Sequence, residues 1–461
     1  MNARGADQPR VLSARGLART VLDRVERDGA YAGRALAAAL DRAPALSPED
    51  RALATELVYG VLRRRGRLDR ALDALAREGT GHLDLGVQIA LRVAAYQLLF
   101  LDRVPAYAAV DDAVEACKSA RGRGLPGFAN ALLRRLSRVG EPPLPAAASD
   151  PTGYLEASAG LPLWVARLLL AELPADQAIA FADNLVMPPP VTLRANTLRT
   201  TREALGERLA GERPGASLPP SALAPDAILA RHFESPAGTA AWRAGLFAVQ
   251  DAGAQIVAEL CGAAAGERIL DACAGNGGKT GHLLALVGDR AQVDAMDLSK
   301  SKLDEGARTL RRLGVVSARA IPADLTQPLA DPTPRYHRIL LDAPCSGLGV
   351  LRRHPEALLR RSPDDLPTLA AQQLRMLETV APALLPGGLL TYAVCTFEKQ
   401  ECEEVVAAFL AGHPGFAVEP ATAAGGRVPW ADLMDTSGAV RTWPQRDDAD
   451  AFFAVRLRAP R

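Results

Sequence analysis

Two cysteines stand directly after apolar segments that the sequence predicts as buried strands. Cys345 belongs to residues 342–347, Asp-Ala-Pro-Cys-Ser-Gly, and Cys395 follows the apolar residues Tyr-Ala-Val. Ligands of open α/β sheets bind at the carboxyl ends of the strands, so both thiols are expected at that edge. Thiolates add to electrophilic carbon, and a nearby acid can assist the addition. The pattern indicates covalent chemistry, with Cys395, Cys345 and Asp342 as candidate catalytic residues.

The other cysteines favour less reactive interpretations. A single cysteine in an apolar setting is more often a small core residue than a nucleophile, and Cys117, Cys261 and Cys402 fit that description. No Cys-x-x-Cys or His-x-x-x-His spacing accompanies Cys345 or Cys395, so we expect no metal. The irregular spacing also argues against a disulfide framework and favours a reducing compartment.

A glycine-rich segment joins a predicted strand to a predicted helix at residues 269–280. Glycine lets the backbone turn sharply and approach a ligand, and the helix that follows offers unpaired N–H groups. The glycine spacing does not match that of a phosphate loop. The candidate cofactor-binding residues are Cys273, Ala274, Gly275, Asn276, Gly277, Gly278 and Lys279, with Asp297, Asp324 and Asp342 at later strand ends.

The first two of these strand-end acids have specific expected roles. Asp297 follows the second strand at a distance suited to accepting both ribose hydroxyls, and Asp324 follows the third strand, where it can bond an adenine amine. Either acid could instead be a helix cap or a solvated turn residue. An acid after the second strand also fits a nicotinamide cofactor, so this constellation alone leaves a dehydrogenase and a methyltransferase both open.

The thiols discriminate between two kinds of methyl transfer. C5 of a pyrimidine is too weakly nucleophilic to attack a methyl sulfonium, whereas a thiolate added at C6 converts the ring to an enamine-like species that can attack. An acid must protonate N3 or hydrogen bond to it as charge develops there, and Asp342 stands beside the site. A base then removes the C5 proton and the thiol is eliminated. Methylation of an amino group needs no such nucleophile.

The elements that must position these residues fall into three predicted domains. Residues 1–140 show helical spacing throughout, including a helix start at Ser47 and an apolar helix at 85–101. Residues 141–245 open with a proline-rich linker and continue as a small α/β module, and residues 246–461 alternate as a doubly wound parallel sheet. The predicted strands are 191–198, 268–272, 292–296, 319–321, 338–341, 388–394 and 452–457.

The bulk composition is that of a globular multidomain protein. The 461 residues are 48% hydrophobic and 23% charged, with a formal net charge of +1. No global field therefore attracts nucleic acid, and local clusters must contact phosphate. No apolar run reaches the length of a membrane span and residues 1–10 lack an apolar stretch, so we expect a cytoplasmic protein. Arg352, Arg353 and His354 are the candidate nucleic-acid contacts, whereas the arginine run at 63–67 is equally consistent with a solvated helix face.

These motifs resemble the RsmB (Fmu/Sun) branch of the RNA cytosine-C5 methyltransferases, within the wider Nol/Nop/Sun family. The resemblance covers nearly the whole chain, and residues 342–356 are highly specific to it. Residues 98–105 are similar to the NusB-like RNA-binding domain of that branch, 193–198 to its small RNA-binding module and 247–255 to the entry into its catalytic domain. The resemblance implies an all-α NusB-like N-terminal domain followed by an α/β Rossmann-like class I methyltransferase domain.

The resemblance also implies residue roles. Cys395 matches the family's nucleophile, Cys345 matches the cysteine assigned to product release, and the candidate cofactor residues would hold S-adenosylmethionine. Two departures stand out: Gly275 and Asn276 replace an Ala-Pro pair, and Ala451 stands where glycine is usual, so that a strand bulge is expected to be lost. The residues that follow Cys395 also differ from the usual Pro-Glu-Glu-Asn.

We therefore expect a methyltransferase for C5 of a cytosine in 16S rRNA. The target base would have to leave its stack to reach buried thiols. Its partners would be 16S rRNA and S-adenosylmethionine, with no membrane and no metal, and we expect a monomer. Two alternatives remain at this point: the same chemistry on tRNA, and an RNA-binding ribosome-assembly factor without methylation.

Overall fold

The chain folds into two compact units, each with its own apolar core. The computed structural model describes residues 13–118, 124–233, 235–329 and 335–461. The first unit contains the described residues up to Pro188 together with Leu351–Arg361, and the second contains Pro189–Val350 and Ser362–Arg461. The two boundaries between the three predicted domains, at 140 and 245, stay a prediction. None of the helices in the described residues has the length and apolar character needed to cross a membrane.

The first unit is helical, as the spacing predicts for its described part; residues 1–12 of the predicted domain lie outside the described residues. Ser47 begins a helix as predicted, because its hydroxyl accepts a hydrogen bond from Asp50 N at 3.1 Å. The predicted apolar helix is confirmed and is buried on several faces. The helices are α1 (Ala14–Arg27), α2 (Ala32–Asp41), α3 (Pro48–Arg63), α4 (Arg65–Asp73), α5 (Leu85–Phe100), α6 (Ala106–Lys118), α7 (Leu125–Val139), α8 (Pro151–Ala159), α9 (Leu163–Glu172) and α10 (Ala175–Leu185).

A short segment from the second half of the sequence belongs to this helical unit. Leu351–Arg361 contains a 3-10 helix at Pro355–Leu359. The buried Glu356 accepts a hydrogen bond from Ala32 N at 3.1 Å, at the start of α2. Arg360 donates to the Ala30 carbonyl at 2.6 Å. The segment is therefore anchored to the unit by side chains at two points, which the sequence did not indicate.

The second unit begins with a small antiparallel sheet in the order β2-β1-β3. Leu193 of the central strand and Phe247 are fully buried in a core that also includes Leu205 and Leu209 of the adjacent helix. The predicted strand at 191–198 is confirmed but ends earlier, at Ala195. The elements of this module are β1 (Val191–Ala195), α11 (Arg202–Glu212), β2 (Ala227–Ala230), α12 (Ala240–Arg243) and β3 (Phe247–Val249).

The larger sheet of the unit has, within the described residues, the order β10-β11-β8-β7-β4-β5-β6, with β9 paired to β11. Its strands are β4 (Arg268–Asp271), β5 (Gln292–Asp297), β6 (Ala318–Pro322), β7 (Tyr336–Asp342), β8 (Leu384–Val394), β9 (Ala417–Glu419), β10 (Val440–Thr442) and β11 (Phe452–Arg458). Its helices are α13 (Ala252–Cys261), α14 (Gly278–Leu286), α15 (Lys300–Leu313), α16 (Asp365–Val380), α17 (Glu403–Gly412), α18 (Trp430–Leu433) and α19 (Pro444–Asp447). Strands β4 to β8 are parallel, and the order reverses between β4 and β7. Such a reversal is where α/β sheets bind ligands.

Each strand predicted in this region is present, but two expectations are wrong. The sheet is not parallel throughout, because β11 runs antiparallel to β8, with Phe453 opposite Val394. Strand direction depends on the side from which the chain re-enters the sheet, and the local apolar pattern does not contain that information. The apolar spacing also predicts a helix over residues 366–385, but that helix ends at Val380. Pro382 follows soon after and has no N–H to continue a helical ladder.

Candidate active site

The two strand-end thiols lie against each other. β7 and β8 are parallel neighbours, with Asp342 opposite Ala393, so the segments that leave these strands emerge at the same edge. The Sγ atoms of Cys345 and Cys395 are 3.2 Å apart. Cys345 is 9% exposed and Cys395 is half-buried. The structure therefore brings the two predicted thiols together at the carboxyl edge of the sheet.

The two thiols share a hydrogen bond in which either sulfur can be the donor. The pKa of Cys345 is raised well above the ordinary thiol value, first by the hydrogen bond to Cys395 and then by burial. Cys345 consequently keeps its proton. A thiolate rather than a thiol is the nucleophile in such chemistry. The raised pKa therefore argues against Cys345 as the nucleophile.

Mild oxidation should join these two cysteines. Diamide accepts the two electrons and two protons that are released when two thiols form one disulfide. The sulfur atoms need only move from 3.2 Å to the disulfide bond length of about 2.05 Å. We expect two of the six thiols to be lost, with non-reducing peptide mapping assigning the link to Cys345 and Cys395 and dithiothreitol restoring both. A Cys402→Ala variant should cross-link equally well, and a link to any other cysteine would contradict the pairing.

The glycine-rich segment turns tightly between β4 and α14. Gly275 and Gly277 have φ of 53° and 74°, a left-handed conformation that glycine adopts readily. Asp297, at the end of β5, fixes the turn by accepting hydrogen bonds from Gly275 N at 3.0 Å and Ser299 N at 2.8 Å. A Cβ placed at Gly275 or Gly278 would meet no atom within 4 Å. The turn therefore borders open space, and the N–H groups that begin α14 suit a polar ligand there.

The unusual Gly275-Asn276 pair fits this turn. The positive φ at Gly275 is a conformation that alanine takes less readily. Asn276 packs closely on α15, because a Cβ at Gly306 would lie 3.0 Å from the Asn276 carbonyl carbon. Burial raises the pKa of Cys273, so this thiol stays protonated and shapes the turn. Ala274 N donates to the Met296 carbonyl at 2.8 Å, which ties the turn to β5.

Asp342 and Lys279 form an ion pair at the same edge. Lys279 Nζ donates to Asp342 Oδ2 at 2.5 Å, and it lies 5.4 Å from the centre of the Phe452 ring. Burial lowers the pKa of Lys279, but the adjacent Asp342 outweighs burial and the net pKa is raised. Lys279 is therefore an ammonium. The sequence identified both residues without indicating that they act as a pair.

A second polar pair, Asp271 and Thr280, stabilises the glycine-rich turn. Asp271 is fully buried at the end of β4 and accepts a hydrogen bond from the Thr280 hydroxyl at 2.6 Å. Burial raises the pKa of Asp271 to about 6, despite the lowering effect of this hydrogen bond. The contact fastens the start of α14 to the strand that precedes the turn. Neither residue was singled out from the sequence, although an acid at a strand end was the signal used for the other strands.

Asp324 and Leu298 are two exposed side chains at this edge. Asp324 follows β6 and accepts hydrogen bonds from Thr326 N at 2.9 Å and from the Thr326 hydroxyl at 2.7 Å, as a turn residue does. These bonds lower its pKa. Its contact with an adenine amine stays a prediction. Leu298 was not singled out, yet it is 75% exposed directly after Asp297, where its apolar surface can cover a flat base.

The predicted RNA contacts lie in the first unit and differ in exposure. Arg352 is 1% exposed, so its guanidinium does not face solvent, which argues against a direct phosphate contact. Arg353 is half-buried and His354 is exposed. RNA contact by Arg353 and His354 stays a prediction.

The arginines of the run at 63–67 contact other residues of the first unit. Arg63 Nε donates to the Arg352 carbonyl at 2.9 Å, and Arg64 stacks 4.8 Å above the Phe100 ring centre. The other two arginines of the run form ion pairs with carboxylates of the same unit, namely Arg65 with Glu26 at 3.1 Å and Arg67 with Glu141 at 2.5 Å. These contacts favour neither a phosphate site nor a merely solvated helix face.

Comparison with known sequences assigns consecutive parts of the chain to known families. Residues 12–138 match the NusB family, residues 161–233 match the ferredoxin-like domain of RsmF/B-like methyltransferases, and residues 260–458 match the 16S rRNA methyltransferase RsmB/F. A Synechocystis protein named probable ribosomal RNA small subunit methyltransferase B is 33% identical over 97% of this chain and 100% of its own length. The chain belongs to the RsmB/F methyltransferase family.

Further comparisons agree with this assignment. The ribosomal RNA small subunit methyltransferase B of Pseudomonas putida is 36% identical, over 91% of this chain and 93% of its own. A crystal structure of PH0851 has the same fold, with a TM-score of 0.80 and 22% identity over 98% of this chain and 100% of that one. The resemblance found in the sequence is confirmed, as is the combination of a NusB-like helical domain with a Rossmann-like methyltransferase domain.

Proposed function

We propose that this RsmB/F-family protein methylates C5 of a cytosine in 16S rRNA, with S-adenosylmethionine as the methyl donor and a transient bond between Cys395 Sγ and C6. The observation that carries the proposal is the pair of thiols 3.2 Å apart at the sheet edge that also bears the glycine-rich turn. The names of the family and of its relatives support rRNA as the substrate class. The cytoplasm is the proposed location.

The residues around the turn fit S-adenosylmethionine. The open space beside Gly275 and Gly278 can admit a ligand against the backbone, Asp297 can accept ribose hydroxyls, and Leu298 can cover adenine. When bound, the cofactor supplies an electrophilic methyl group on a sulfonium. The Lys279–Asp342 ion pair lies between the turn and the end of β7, where it can orient polar groups of the base.

The residues of the chain would act in sequence on the flipped base. The Cys395 thiolate forms the S–C6 bond, and the electron pair of the C5–C6 double bond moves to C5 while the ion pair of Asp342 and Lys279 stabilises the charge at N3. C5 then takes the methyl group. A base removes the C5 proton, the C–H electrons restore the double bond, and the S–C6 bond breaks. Cys345, which keeps its proton, can hydrogen bond to the departing sulfur.

Two other functions make different predictions for one experiment. A tRNA methyltransferase would use the same thiols, although the NusB-family domain favours rRNA. An assembly factor would bind RNA without labelling it. Incubation with radiolabelled S-adenosylmethionine and unmodified 16S rRNA or tRNA separates the three, and bisulfite sequencing then maps the modified cytosine. We expect label on C5 of cytosine in rRNA; tight binding without label would support the assembly factor.

Asp297→Asn should weaken binding of S-adenosylmethionine by about 10-fold to 100-fold, because a hydrogen bond to a charged group contributes roughly 1.5–3 kcal/mol. An amide cannot accept from both Gly275 N and Ser299 N through two oxygens, so the turn also loosens. Isothermal titration calorimetry measures the change. The matched control is Asp304→Asn, which alters an exposed carboxylate paired with Lys300 on α15 and should leave affinity unchanged. Equal affinity of the two variants would contradict the assigned role of Asp297.

A further inference from the structure

A buried carboxylate lies behind the segment that carries Cys345. Glu401 is 0% exposed, and its Oε1 accepts a hydrogen bond from Ser346 N at 2.8 Å. The same oxygen accepts from Gln373 Nε2 at 2.8 Å. A carboxylate without water is costly to bury unless donors of this kind surround it. Glu401 therefore occupies a specific place beside the residue that follows Cys345.

The residue before Cys345 is held by the same group of side chains. Gln373, from α16, donates a second hydrogen bond to the Pro344 carbonyl at 3.0 Å. The Tyr392 hydroxyl, from β8, lies 3.0 Å from Gln373 Oε1 and 2.6 Å from the Glu401 carbonyl. Pro344 and Ser346 are thus both fixed to one buried network. The thiol between them has little freedom to move away from Cys395.

The end of the segment is fixed to the backbone on the other side. Gly349 N donates to the Cys395 carbonyl at 3.0 Å, and Ala451 N donates to the Gly349 carbonyl at 2.9 Å. A Cβ at Gly349 would lie 2.0 Å from the Ala451 carbonyl oxygen, so only glycine permits this approach. Ala451, which replaces the usual glycine of the family, takes part in this contact through its backbone. Both ends of the Cys345 segment are therefore anchored, and Glu401 holds the end nearest the thiol.

The neighbouring carboxyl group does not compete for these donors. Burial, followed by the charge of Glu401, raises the pKa of Glu398 to about 8, so Glu398 is mostly protonated at neutral pH. Glu398 accepts hydrogen bonds from other donors, namely Gln400 N at 2.8 Å and Glu401 N at 3.0 Å. Ser346 N and Gln373 Nε2 therefore remain with Glu401.

We propose that Glu401 is a positioning residue for product release, holding Cys345 at hydrogen-bonding distance from Cys395 so that the methylated base can leave. The inference rests on the proposed function, since it concerns breakdown of the S–C6 bond. A positioning role depends on where the acceptor oxygen lies, whereas an acid–base role depends on the carboxyl group itself. Glutamine and aspartate substitutions separate these two properties.

Glu401→Asp should slow product release by about 100-fold, because it withdraws the acceptor by one methylene and a displacement of about 1 Å at a reacting group can cost that much. Single-turnover methyl transfer should change by less than about threefold, since Cys395 itself is not displaced. Glu401→Gln keeps an oxygen at the original position and should release product within about tenfold of the unaltered protein. Quench-flow with labelled cofactor measures transfer, and denaturing gels measure the RNA-bound protein that accumulates.

The control is Glu404→Asp, the same change at an exposed carboxylate three residues further along. Should Glu401→Asp fail to fold, Tyr392→Phe removes one hydroxyl from the network without changing the ring, and we expect release about 10-fold slower. A folded aspartate or phenylalanine variant with normal release overturns the inference. It is also overturned if aspartate is active and glutamine inactive, or if transfer and release slow equally.

A parallel Cys345→Ala reaction separates this inference from the function on which it rests. If Cys345→Ala stays bound to RNA while Glu401→Asp releases product normally, the proposed function stands and only the role of Glu401 is rejected. Absence of both methylcytosine and RNA-bound protein in every variant and in the unaltered protein rejects the proposed function, and the role of Glu401 falls with it.

Discussion

Cys395→Ala should abolish methylation of cytosine, lowering the single-turnover rate by at least about 1,000-fold, as expected when a covalent nucleophile is removed. Without the sulfur, C5 has no enamine-like form and cannot attack the methyl group. Cys345 cannot substitute for it, because its raised pKa keeps it as a thiol. Transfer from tritiated S-adenosylmethionine to unmodified 16S rRNA measures the loss. Cofactor affinity should stay within about twofold, since the glycine-rich turn is untouched.

The matched control is Cys261→Ala, which removes a fully buried thiol from α13. It should transfer methyl groups at the normal rate and show a similar unfolding temperature. If Cys395→Ala remains active while Cys345→Ala is inactive, the two roles must be exchanged. If both variants remain active, the reaction does not use a thiol and methylation of an amino group becomes the better explanation.

The meeting of the two thiols could largely be predicted from the sequence. Each cysteine follows an apolar segment of strand length. The segments that follow parallel strands all begin at the same edge of the sheet. The sequence does not state that the two strands are neighbours. That requires the order β8-β7-β4, which places Asp342 opposite Ala393 and lets both segments meet. The glycine-rich turn and Asp297 were predictable for the same reason.

The supporting contacts could not be predicted in this way, because they join residues from separate elements. Glu401 contacts Ser346 across 55 positions of sequence. Gln373, which belongs to a third element, donates a hydrogen bond to Glu401. Local patterns describe which face of an element is buried but not which polar groups meet there. The residues around Glu401 differ from the usual family residues, and this difference alone does not indicate what Glu401 contacts. Its burial against Ser346 and Gln373 supports the role proposed for it.

Charge runs were the least informative part of the sequence. Arg352 stands beside the cysteine segment in sequence, yet its side chain is buried. Arginine has a long apolar stem and a planar group that stacks on rings, as Arg64 does on Phe100, so a run of arginines can be interior structure. Exposure and partners, rather than charge, decide which arginines can meet phosphate. Both are properties of the folded chain.

Cys345→Ala should trap a covalent protein–RNA complex that survives denaturing gels. The departing sulfur of Cys395 leaves as a thiolate, and the S–H of Cys345 lies 3.2 Å away to stabilise it. Removing one donor that stabilises a developing anion costs about 100-fold to 1,000-fold in rate, so breakdown of the adduct becomes the slow step. Methyl transfer should continue for one turnover and then stop. Nuclease digestion followed by mass spectrometry should find methylated cytosine attached to the peptide that contains Cys395.

Two further variants assign this effect to the hydrogen bond. Cys345→Ser keeps a donor at the same position and should accumulate less adduct than Cys345→Ala, because a hydroxyl can still hydrogen bond to the departing sulfur. The double variant Cys345→Ala with Cys395→Ala should form no adduct, since no sulfur remains to bond C6. An adduct in the double variant would mean that another residue is the nucleophile. Equal trapping by serine and alanine would mean that hydrogen-bond donation is not the role of Cys345, and that its deprotonated sulfur instead accepts the C5 proton.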